Sequence, residues 1–354
     1  MTNQGVWRKV KRSSVPVGRR CIKCKWVLKV KRDGIFRARL VACGYSQIPG
    51  LDFSENYAPV INDVAWRILL IAKLVWQLDA ILIDVDTAFL YGDLEEEIYM
   101  DLPEGMTGFD DECLLLLKAL YGLVQAARQW YKKFVTILKK IGFEGGTADP
   151  CLFVKRTSKG IIMISVYVDD NFCVGHKAAL EEFVADLKKN GLSVKVTSQM
   201  TDSLSCNLAF SEDGSTAWIG QPHLIRKLEE RFGDLVKNLQ SYVTPGTPGI
   251  HIVRPSTKTD AEIQARMPVY RSAVGTLLFL LKHSRPCLAN PLRELSKVLD
   301  CPMEAAFKEL KRVIKFVLDT RDYGLKVKPV IDKADDAWNI TVFLDSDYTG
   351  DMET

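Results

Sequence analysis

Residues 161–175 are Ile161-Ile162-Met163-Ile164-Ser165-Val166-Tyr167-Val168-Asp169-Asp170-Asn171-Phe172-Cys173-Val174-Gly175. Apolar and β-branched residues on both sides of two adjacent aspartates predict two short strands joined by a tight turn. Two carboxylates this close repel each other and raise the pKa of one of them, unless a cation lies between them. Hard divalent cations such as Mg²⁺ bind carboxylate oxygens, often together with substrate phosphates. The stretch therefore predicts a β-hairpin with a metal and phosphate site at its tip.

A third carboxylate follows a predicted strand earlier in the chain. Residues 80–83 are Ala-Ile-Leu-Ile and run directly into Asp84. An acid at the end of a strand is often only a cap or a loop residue. Asp84 is also a candidate third member of a site with Asp169 and Asp170, and the local pattern leaves both interpretations open.

The composition is that of a globular protein of more than one typical domain. The chain has 354 residues, of which 47% are hydrophobic and 26% charged. Its nine cysteines include one C-x-x-C pair, Cys21 and Cys24, with no second Cys or His pair at zinc-finger spacing. We expect free thiols in a reducing, intracellular compartment. Without a signal peptide or a long uncharged apolar run, we expect no membrane partner.

Positive charge is concentrated at the beginning of the chain. Residues 1–39 contain thirteen Lys and Arg but one acid, Asp33. Such a surface suits a polyanion such as nucleic acid, and a solvated basic tail is the alternative. Alternation over residues 25–42 predicts a basic hairpin with a turn at 32–34. Arg37 and Arg39 share one face of it, where they either clamp a phosphate or lie in solvent.

The remaining pattern predicts an α+β protein whose second half is mostly helical. In the first half, helices are predicted over 62–76, 114–140 and 178–190, and strands over 80–85, 162–168, 171–174 and 192–196. Gly122 is expected to mark a loop or a close approach before the main part of the second helix. In the second half, a linker at Thr244–Gly249 separates a helix at 224–232 from helices over 269–282, 288–299 and 303–318, and a strand at 338–344 ends the pattern.

A set of short motifs occurs in a fixed order along the chain. They are Lys25-Trp26-Val27, Arg37-Ala38-Arg39-Leu40-Val41, Tyr57-Ala58-Pro59-Val60, Asp84-Val85-Asp86-Thr87-Ala88-Phe89-Leu90-Tyr91-Gly92, Leu120-Tyr121-Gly122-Leu123-Val124-Gln125-Ala126, Tyr167-Val168-Asp169-Asp170, Gln221-Pro222, Arg285-Pro286 and Asp345-Ser346-Asp347. In this order they resemble the reverse transcriptase region of Ty1/copia-type long-terminal-repeat retrotransposon polyproteins. The likeness extends over essentially the whole chain.

The resemblance implies a right-hand polymerase with fingers, palm and thumb, a helical connection and the first strand of a truncated RNase H domain. Fingers and palm would occupy residues 1–212, with the palm mainly at 77–109 and 141–212. The thumb and connection, mostly helical, would occupy 213–337, and the RNase H-like part 338–354. Asp345 matches the first catalytic acid of RNase H. Since the other acids of that site are absent, we expect no ribonuclease activity.

The resemblance also implies the reaction and its metal. An RNA-directed DNA polymerase adds deoxynucleotides to a primer 3′-hydroxyl with two Mg²⁺ ions about 3.5–4 Å apart, and Mn²⁺ is an alternative ion. Asp84, Asp169 and Asp170 are the implied catalytic residues. Asp84 and Asp169 would bridge both ions, Asp170 would act less directly, and the backbone carbonyl of Val85 would add a ligand.

A nucleotide-binding set follows from the same resemblance. Arg37 and Arg39 would contact the triphosphate, with Arg39 the better match, and Gln125 would lie near the nucleotide 3′-hydroxyl. Phe89 would lie beneath the sugar, where a flat ring excludes a ribose 2′-hydroxyl, and Ala88 belongs to the same nucleotide-binding set. Packing of Phe89 in the protein interior is the alternative.

The implied partners are an RNA template, a DNA or tRNA-like primer, deoxynucleoside triphosphates, and other polyprotein parts such as integrase and RNase H. The implied location is intracellular, either a cytoplasmic virus-like particle or the nucleus.

Three positions depart from the family pattern. Ser205-Cys206 replaces Leu-Gly, Cys287 replaces an Asp, and Ala127 replaces a proline. A side chain at Cys206 is expected to obstruct the primer, because glycine allows closer backbone approach. Two hypotheses therefore stand: an active polymerase, and a catalytically inactive nucleic-acid-binding relic of one.

Overall fold

The computed structural model describes residues 4–30, 34–200, 203–254 and 261–330. The predicted strand at 338–344, Asp345 and part of the predicted turn at 32–34 lie outside these ranges. The strands are β1 (Trp7–Lys11), β2 (Cys21–Ile22), β3 (Cys24–Val30), β4 (Phe36–Ala42), β5 (Asp79–Val85), β6 (Asp93–Met100), β7 (Glu112–Lys118), β8 (Glu144–Gly145), β9 (Leu152–Thr157), β10 (Gly160–Tyr167), β11 (Asp170–Gly175), β12 (Val194–Thr197), β13 (Asn207–Phe210), β14 (Ala217–Gly220) and β15 (Leu325–Val327). The helices are α1 (Asp63–Val75), α2 (Ala126–Lys140), α3 (Lys177–Lys189), α4 (Pro222–Phe232), α5 (Ala261–His283), α6 (Ala289–Ser296) and α7 (Glu304–Asp319).

A six-stranded sheet in the order β12-β5-β11-β10-β9-β8 contains the predicted hairpin. Strands β10 and β11 are antiparallel, and Tyr167 lies opposite Asp170 at the end of their ladder. Helices α1 and α3 pack against both strands. Trp66 of α1 contacts Phe172, with ring centroids 6.0 Å apart. The sequence predictions for β5, β10, β11, β12, α1 and α3 are confirmed.

The prediction of one helical segment over 114–140 was wrong in its first part. Residues Glu112–Lys118 form β7 in a four-stranded sheet of order β1-β7-β6-β2. Leu114, Leu115 and Leu116 are all buried. The sequence of a strand that is covered on both faces is a continuous apolar run. It therefore lacks the alternation of apolar and polar residues that identifies a half-exposed strand.

Gly122 marks a close approach, as predicted. Its φ is +92°, and a Cβ placed on it would lie 2.1 Å from the carbonyl oxygen of Ala42. The Ala42 N–H donates to the carbonyl oxygen of Tyr121 at 2.8 Å. Helix α2 begins only after this contact, at Ala126.

The predicted basic hairpin is a separate two-stranded sheet of β3 and β4. Val27 lies opposite Arg39, and Lys29 lies opposite Arg37. Directly opposed residues of an antiparallel pair share a face, as do residues two apart on one strand. Arg37 and Arg39 therefore lie on the same face, as predicted.

Helices α4 to α7 enclose a second hydrophobic core. The predicted linker at Thr244–Gly249 is fastened to these helices. The Thr247 N–H donates to Glu309 Oε1 of α7 at 2.7 Å, and the Thr247 hydroxyl donates to Glu309 Oε2 at 2.8 Å. Farther along, the Ile252 N–H donates to Glu294 Oε2 of α6 at 3.0 Å. Two carboxylates thus hold this segment in place.

The beginning of α1 contacts the end of α5. Lys282 of α5 forms an ion pair with Asp63 of α1 at 2.7 Å. Arg67 donates to the carbonyl oxygen of Lys282, also at 2.7 Å. No helix in the described residues has the length and apolar character needed to cross a bilayer.

Candidate active site

The turn between β10 and β11 is held in an unfavourable backbone conformation. Val168 has φ of +55°, which is uncommon for a β-branched residue. The Trp130 indole of α2 donates to the Val168 carbonyl oxygen at 2.6 Å. The Asn171 side-chain amide donates to the carbonyl oxygens of Asp169 at 3.1 Å and Ile83 at 3.3 Å. These bonds fix the position of the two aspartates.

Asp84 lies beside this turn, because β5 is the neighbour of β11. In their antiparallel register, Asp84 is opposite Asp170, and the Val85 N–H donates to the Asp169 carbonyl oxygen at 3.1 Å. Burial first, and then the charge of Asp169, raise the pKa of Asp84. The positive charges of Lys195 and Arg37 only partly offset these effects. A half-buried carboxylate that faces another one is electrostatically suited to a cation.

The three carboxylates do not form one closed cluster. Asp170 lines a cavity with Asp63, Lys282 and His283 at the contact of α1 and α5, and Asp84 is not part of its lining. Within the described ranges, no group of three or more His, Cys, Asp or Glu side chains is arranged to hold a metal ion. Among the charges that act on Asp84, that of Asp169 has the largest effect. Carboxylate and carbonyl oxygens are nevertheless the donors that Mg²⁺ prefers, and this ion usually takes few protein ligands. The donor set at Asp84, Val85 and Asp169 fits Mg²⁺ in this sense.

Lys195 is a site residue that the sequence interpretation missed. It lies opposite Asp84 on the other side of β5 and forms an ion pair with Asp86. The hydrogen bond to Asp86 raises the pKa of Lys195, against a smaller effect of burial. The Ser193 hydroxyl also donates to Asp86, at 3.0 Å. Only the register of β12 with β5 reveals this cation, because the sequence around Lys195 reads as an ordinary strand.

The basic face of the β3–β4 hairpin lies close to Asp84 and to the neighbouring Tyr121 ring. The Arg39 guanidinium lies 4.9 Å from the centre of the Tyr121 ring. The charge of Arg37 lowers the pKa of Asp84, so Arg37 is within electrostatic reach of that carboxylate. Arg37 thus lies near Asp84 and Arg39 lies on the neighbouring Tyr121 ring, and two cations in this position suit a polyanionic ligand.

Phe89 lies in a short 3₁₀ helix, Ala88–Tyr91, that follows β5. Ala88 is buried, whereas Phe89 is half-buried and packs against Tyr121 with ring centroids 4.7 Å apart. The ring is therefore supported on one side by the protein and partly exposed, so the geometry is compatible with both the packing and the sugar-contact interpretations.

Gln125 has other partners than the predicted nucleotide. Its side chain is completely buried. Its Oε1 accepts from Gln47 Nε2 at 3.0 Å, and its Nε2 donates to the Asp52 carbonyl oxygen at 2.9 Å and to Glu96 Oε2 at 3.3 Å. The amide is thus engaged within the protein, and its nucleotide contact stays a prediction.

The expected obstruction by Cys206 is not found. The Cys206 side chain is fully buried in the core beneath the six-stranded sheet. Burial raises the pKa of this thiol to about 12. The preceding residues, Leu204 and Ser205, have φ of +49° and +63°. The positions whose backbone conformation favours glycine are therefore Leu204 and Ser205, and not Cys206.

Comparisons with known proteins agree on one family. The sequence profile described as "Reverse transcriptase (RNA-dependent DNA polymerase)" matches residues 4–242. The Pol polyprotein of transposon TNT 1-94 from Nicotiana tabacum is 34% identical over 318 residues, which cover 86% of this chain and 24% of that protein. The Pol polyprotein of transposon RE2 from Arabidopsis thaliana is 30% identical over 93% of this chain and 22% of its own length. The putative transposon Ty5-1 protein of Saccharomyces cerevisiae is 28% identical over 75% of this chain and 83% of its own length.

The chain spans about a quarter of the length of the two plant polyproteins. Among solved structures, a foamy viral protease-reverse transcriptase in complex with double-stranded DNA matches 90% of this chain and 46% of its own. The TM-score between the two structures is 0.38 and their sequence identity is 13%, so the similarity supports no further conclusion.

Proposed function

We infer the function from one premise: the chain belongs to the reverse transcriptase family of Ty1/copia-type retrotransposons. We propose that it is an RNA-directed DNA polymerase that adds deoxynucleotides to a primer 3′-hydroxyl. The observation that carries the proposal is the register of β5 with β11, which brings Asp84 to the turn that contains Asp169. Fingers and palm would then occupy residues 1–212, and thumb and connection residues 213–337.

The proposed metal site uses oxygen atoms of this chain. Asp84 and Asp169 would hold the two Mg²⁺ ions, with the Val85 carbonyl as a further ligand and Asp170 in a less direct role. Bound Mg²⁺ would make the primer hydroxyl a better nucleophile and stabilise the charge of the leaving pyrophosphate. The raised pKa of Asp84 supports this assignment, because the carboxylate pair carries repulsion that a divalent cation relieves.

The remaining residues would bind and orient the substrate. Arg37 and Arg39 on the hairpin would attract the triphosphate, Phe89 would contact the sugar, and Ala88 would be part of the same nucleotide-binding set. Template and primer would be held through their phosphates by the basic N-terminal part of the chain. We therefore expect binding that is independent of sequence and weakened by salt.

A primer extension assay on an RNA template with Mg²⁺ tests the proposal. The unmodified chain should extend the primer, and Asp169→Asn should not. Asp79→Asn is a matched control, because Asp79 lies at the opposite end of β5 and is exposed. If the unmodified chain binds template but extends no primer, the inactive-relic hypothesis replaces the polymerase. The departures from the family pattern at Ala127, Ser205-Cys206 and Cys287 are the observation that favours that second hypothesis.

The wider setting follows from the relatives, which are Pol polyproteins. We propose an RNA template, a DNA or tRNA-like primer and deoxynucleoside triphosphates as ligands, with integrase and RNase H as parts of the same polyprotein. The proposed location is intracellular, in a cytoplasmic virus-like particle or the nucleus.

A further inference from the structure

One aromatic ring beside the two carboxylates has no part in the chemistry proposed so far. Tyr121 lies between the Phe89 ring, 4.7 Å away at an interplanar angle of 57°, and the Arg39 guanidinium, 4.9 Å from its centre. It therefore touches one residue proposed to contact the sugar and one proposed to contact the triphosphate. These two residues come from different parts of the chain, the 3₁₀ helix after β5 and the strand β4.

The backbone of Tyr121 is firmly placed. Its carbonyl oxygen accepts the Ala42 N–H at 2.8 Å. The following residue, Gly122, packs so closely on Ala42 that a Cβ there would lie 2.1 Å from the Ala42 carbonyl oxygen. Since Ala42 ends the strand that carries Arg39, the ring and the guanidinium are held in register with each other.

The electrostatic setting favours a neutral ring. Burial, and then the charge of Asp169, raise the pKa of the Tyr121 phenol, while Arg39 and Arg37 oppose the shift. A neutral aromatic face attracts a guanidinium through its quadrupole, and an edge-inclined second ring packs favourably on it. Tyr121 can thus bind Arg39 and support Phe89 at the same time.

We propose that Tyr121 is a positioning residue that couples discrimination of the sugar at Phe89 to the triphosphate contact at Arg39. The inference rests on the proposed function. With the ring in place, Phe89 cannot turn away from a ribose 2′-hydroxyl, because the space behind it is filled. Without the ring, Phe89 gains room to move and Arg39 loses the surface on which it lies.

The first test is the selectivity of primer extension in Tyr121→Ala. The ratio of kcat/KM for a deoxynucleotide to that for the matching ribonucleotide should fall by about threefold to tenfold, the range expected for losing an aromatic contact. KM for the deoxynucleotide should rise as Arg39 loosens. Both rates are measured on one preparation, so the fraction of folded protein cancels from the ratio.

Two further variants distinguish support by the Tyr121 ring from an effect of its hydroxyl and from a direct effect of Tyr121 on the sugar. Tyr121→Phe keeps the ring and should retain the selectivity of the unmodified chain. In Phe89→Ala, adding Tyr121→Ala should lower selectivity no further, because Tyr121 acts on the sugar through Phe89. If Tyr121→Phe behaves like Tyr121→Ala, or if the two alanine substitutions lower selectivity independently, the proposal is wrong.

A binding measurement separates this proposal from the polymerase assignment. Dissociation constants of a deoxynucleotide and the matching ribonucleotide are measured with a dideoxy-terminated primer on an RNA template, so that no bond can form. If the unmodified chain extends no primer yet prefers the deoxynucleotide in binding, the polymerase proposal fails and the effect of Tyr121→Ala on this preference still decides the coupling. An unchanged preference in Tyr121→Ala, or no preference or no nucleotide binding by the unmodified chain, overturns it.

Discussion

Partly or fully buried carboxylates have different surroundings in the two main regions of this protein, the six-stranded sheet and the helical region of α4 to α7. In the six-stranded sheet, Asp84 has no hydrogen-bond donor among the described residues, and its pKa is raised by burial and by Asp169. In the helical region, Glu294 accepts the Ile252 N–H at 3.0 Å and contacts Lys297 at 3.1 Å. Burial alone would raise the pKa of Glu294, but these two donors, together with the charge of Arg293, outweigh it and hold the pKa below its ordinary value.

Strained backbone conformations also differ in number between the two regions. The described non-glycine residues with positive φ are Gln77, Thr87, Val168, Leu204 and Ser205. All of them precede α4, the first helix of the helical region. Among the described residues, strain of this kind therefore occurs in the sheet region, where the uncompensated charge of Asp84 also lies. Such a combination is typical of functional sites, where the structure maintains an arrangement that the site alone would not favour.

The largest expected effect is the loss of polymerase activity in Asp84→Asn. Removing one oxygen charge from the proposed metal site should lower primer extension by about a thousandfold or more, because metal ions stabilise the transition state by several kcal/mol. Stability should not fall, since the substitution also removes repulsion by Asp169. The check is single-turnover extension alongside thermal unfolding in a chelator. Extension near that of the unmodified chain would remove Asp84 from the mechanism.

The next effect concerns the fastening of residues 244–249 by Glu309. Glu309→Leu should destabilise the protein by about 2–4 kcal/mol, because it removes two charge-assisted hydrogen bonds and leaves the Thr247 N–H without its partner. Urea unfolding measures this change. Glu229→Leu is the matched control, as Glu229 forms a partly exposed ion pair with Arg321 and should change stability by less than about 1 kcal/mol. Equal effects of the two substitutions would show that the Glu309 carboxylate does not hold residues 244–249 in place.

A smaller, stabilising effect is expected from Ser205→Gly. Glycine adopts positive φ without steric cost, so relief of strain should exceed the added chain entropy by about 0.5–1 kcal/mol. Ser158→Gly is the control, since Ser158 is absent from the residues with positive φ and should lose stability instead. Denaturant midpoints of the two variants give the comparison. Destabilisation by both would show that the turn at 204–205 is not strained.

The smallest effect is the dependence of stability on pH, which should have opposite signs at the two carboxylates. The folded-state pKa of Glu294 is depressed, so its contribution is present above the unfolded pKa near 4.5 and is lost as pH falls through the folded value. The folded-state pKa of Asp84 is raised, so stability declines as pH rises from the unfolded pKa near 3.8 through the folded value.

Unfolding free energies in a chelator between pH 3 and pH 7 test both signs. Relative to the unmodified chain, Glu294→Gln should lose stability at pH 7 and converge with it at low pH. Asp84→Asn should gain stability at pH 7 and lose that gain at low pH. The same sign for both variants would show that their electrostatic surroundings do not differ.

Much of the candidate site was predictable from local pattern. Alternation and apolar runs located β10, β11 and the basic hairpin, because a half-buried strand must place like residues two apart. The segment over Leu114–Leu117 was misassigned, since a strand buried on both faces has no such alternation. Lys195 and Tyr121 were not singled out as site residues, because their importance depends on neighbours 111 and 82 residues away in the chain, at Asp84 and Arg39.

What the sequence determined by itself was the set of ordered motifs, and with them the family, the hairpin and the three acids. The tertiary structure alone decided which of those acids face each other, that Gln125 is enclosed by Gln47, Asp52 and Glu96, and that the Cys206 side chain is in the core. The reason is physical: hydrophobic periodicity is a property of neighbouring residues, whereas the pairing of β5 with β11 and the packing around them depend on contacts between distant segments. Charge and strain at a site arise from those contacts, so they are set only when the chain is folded.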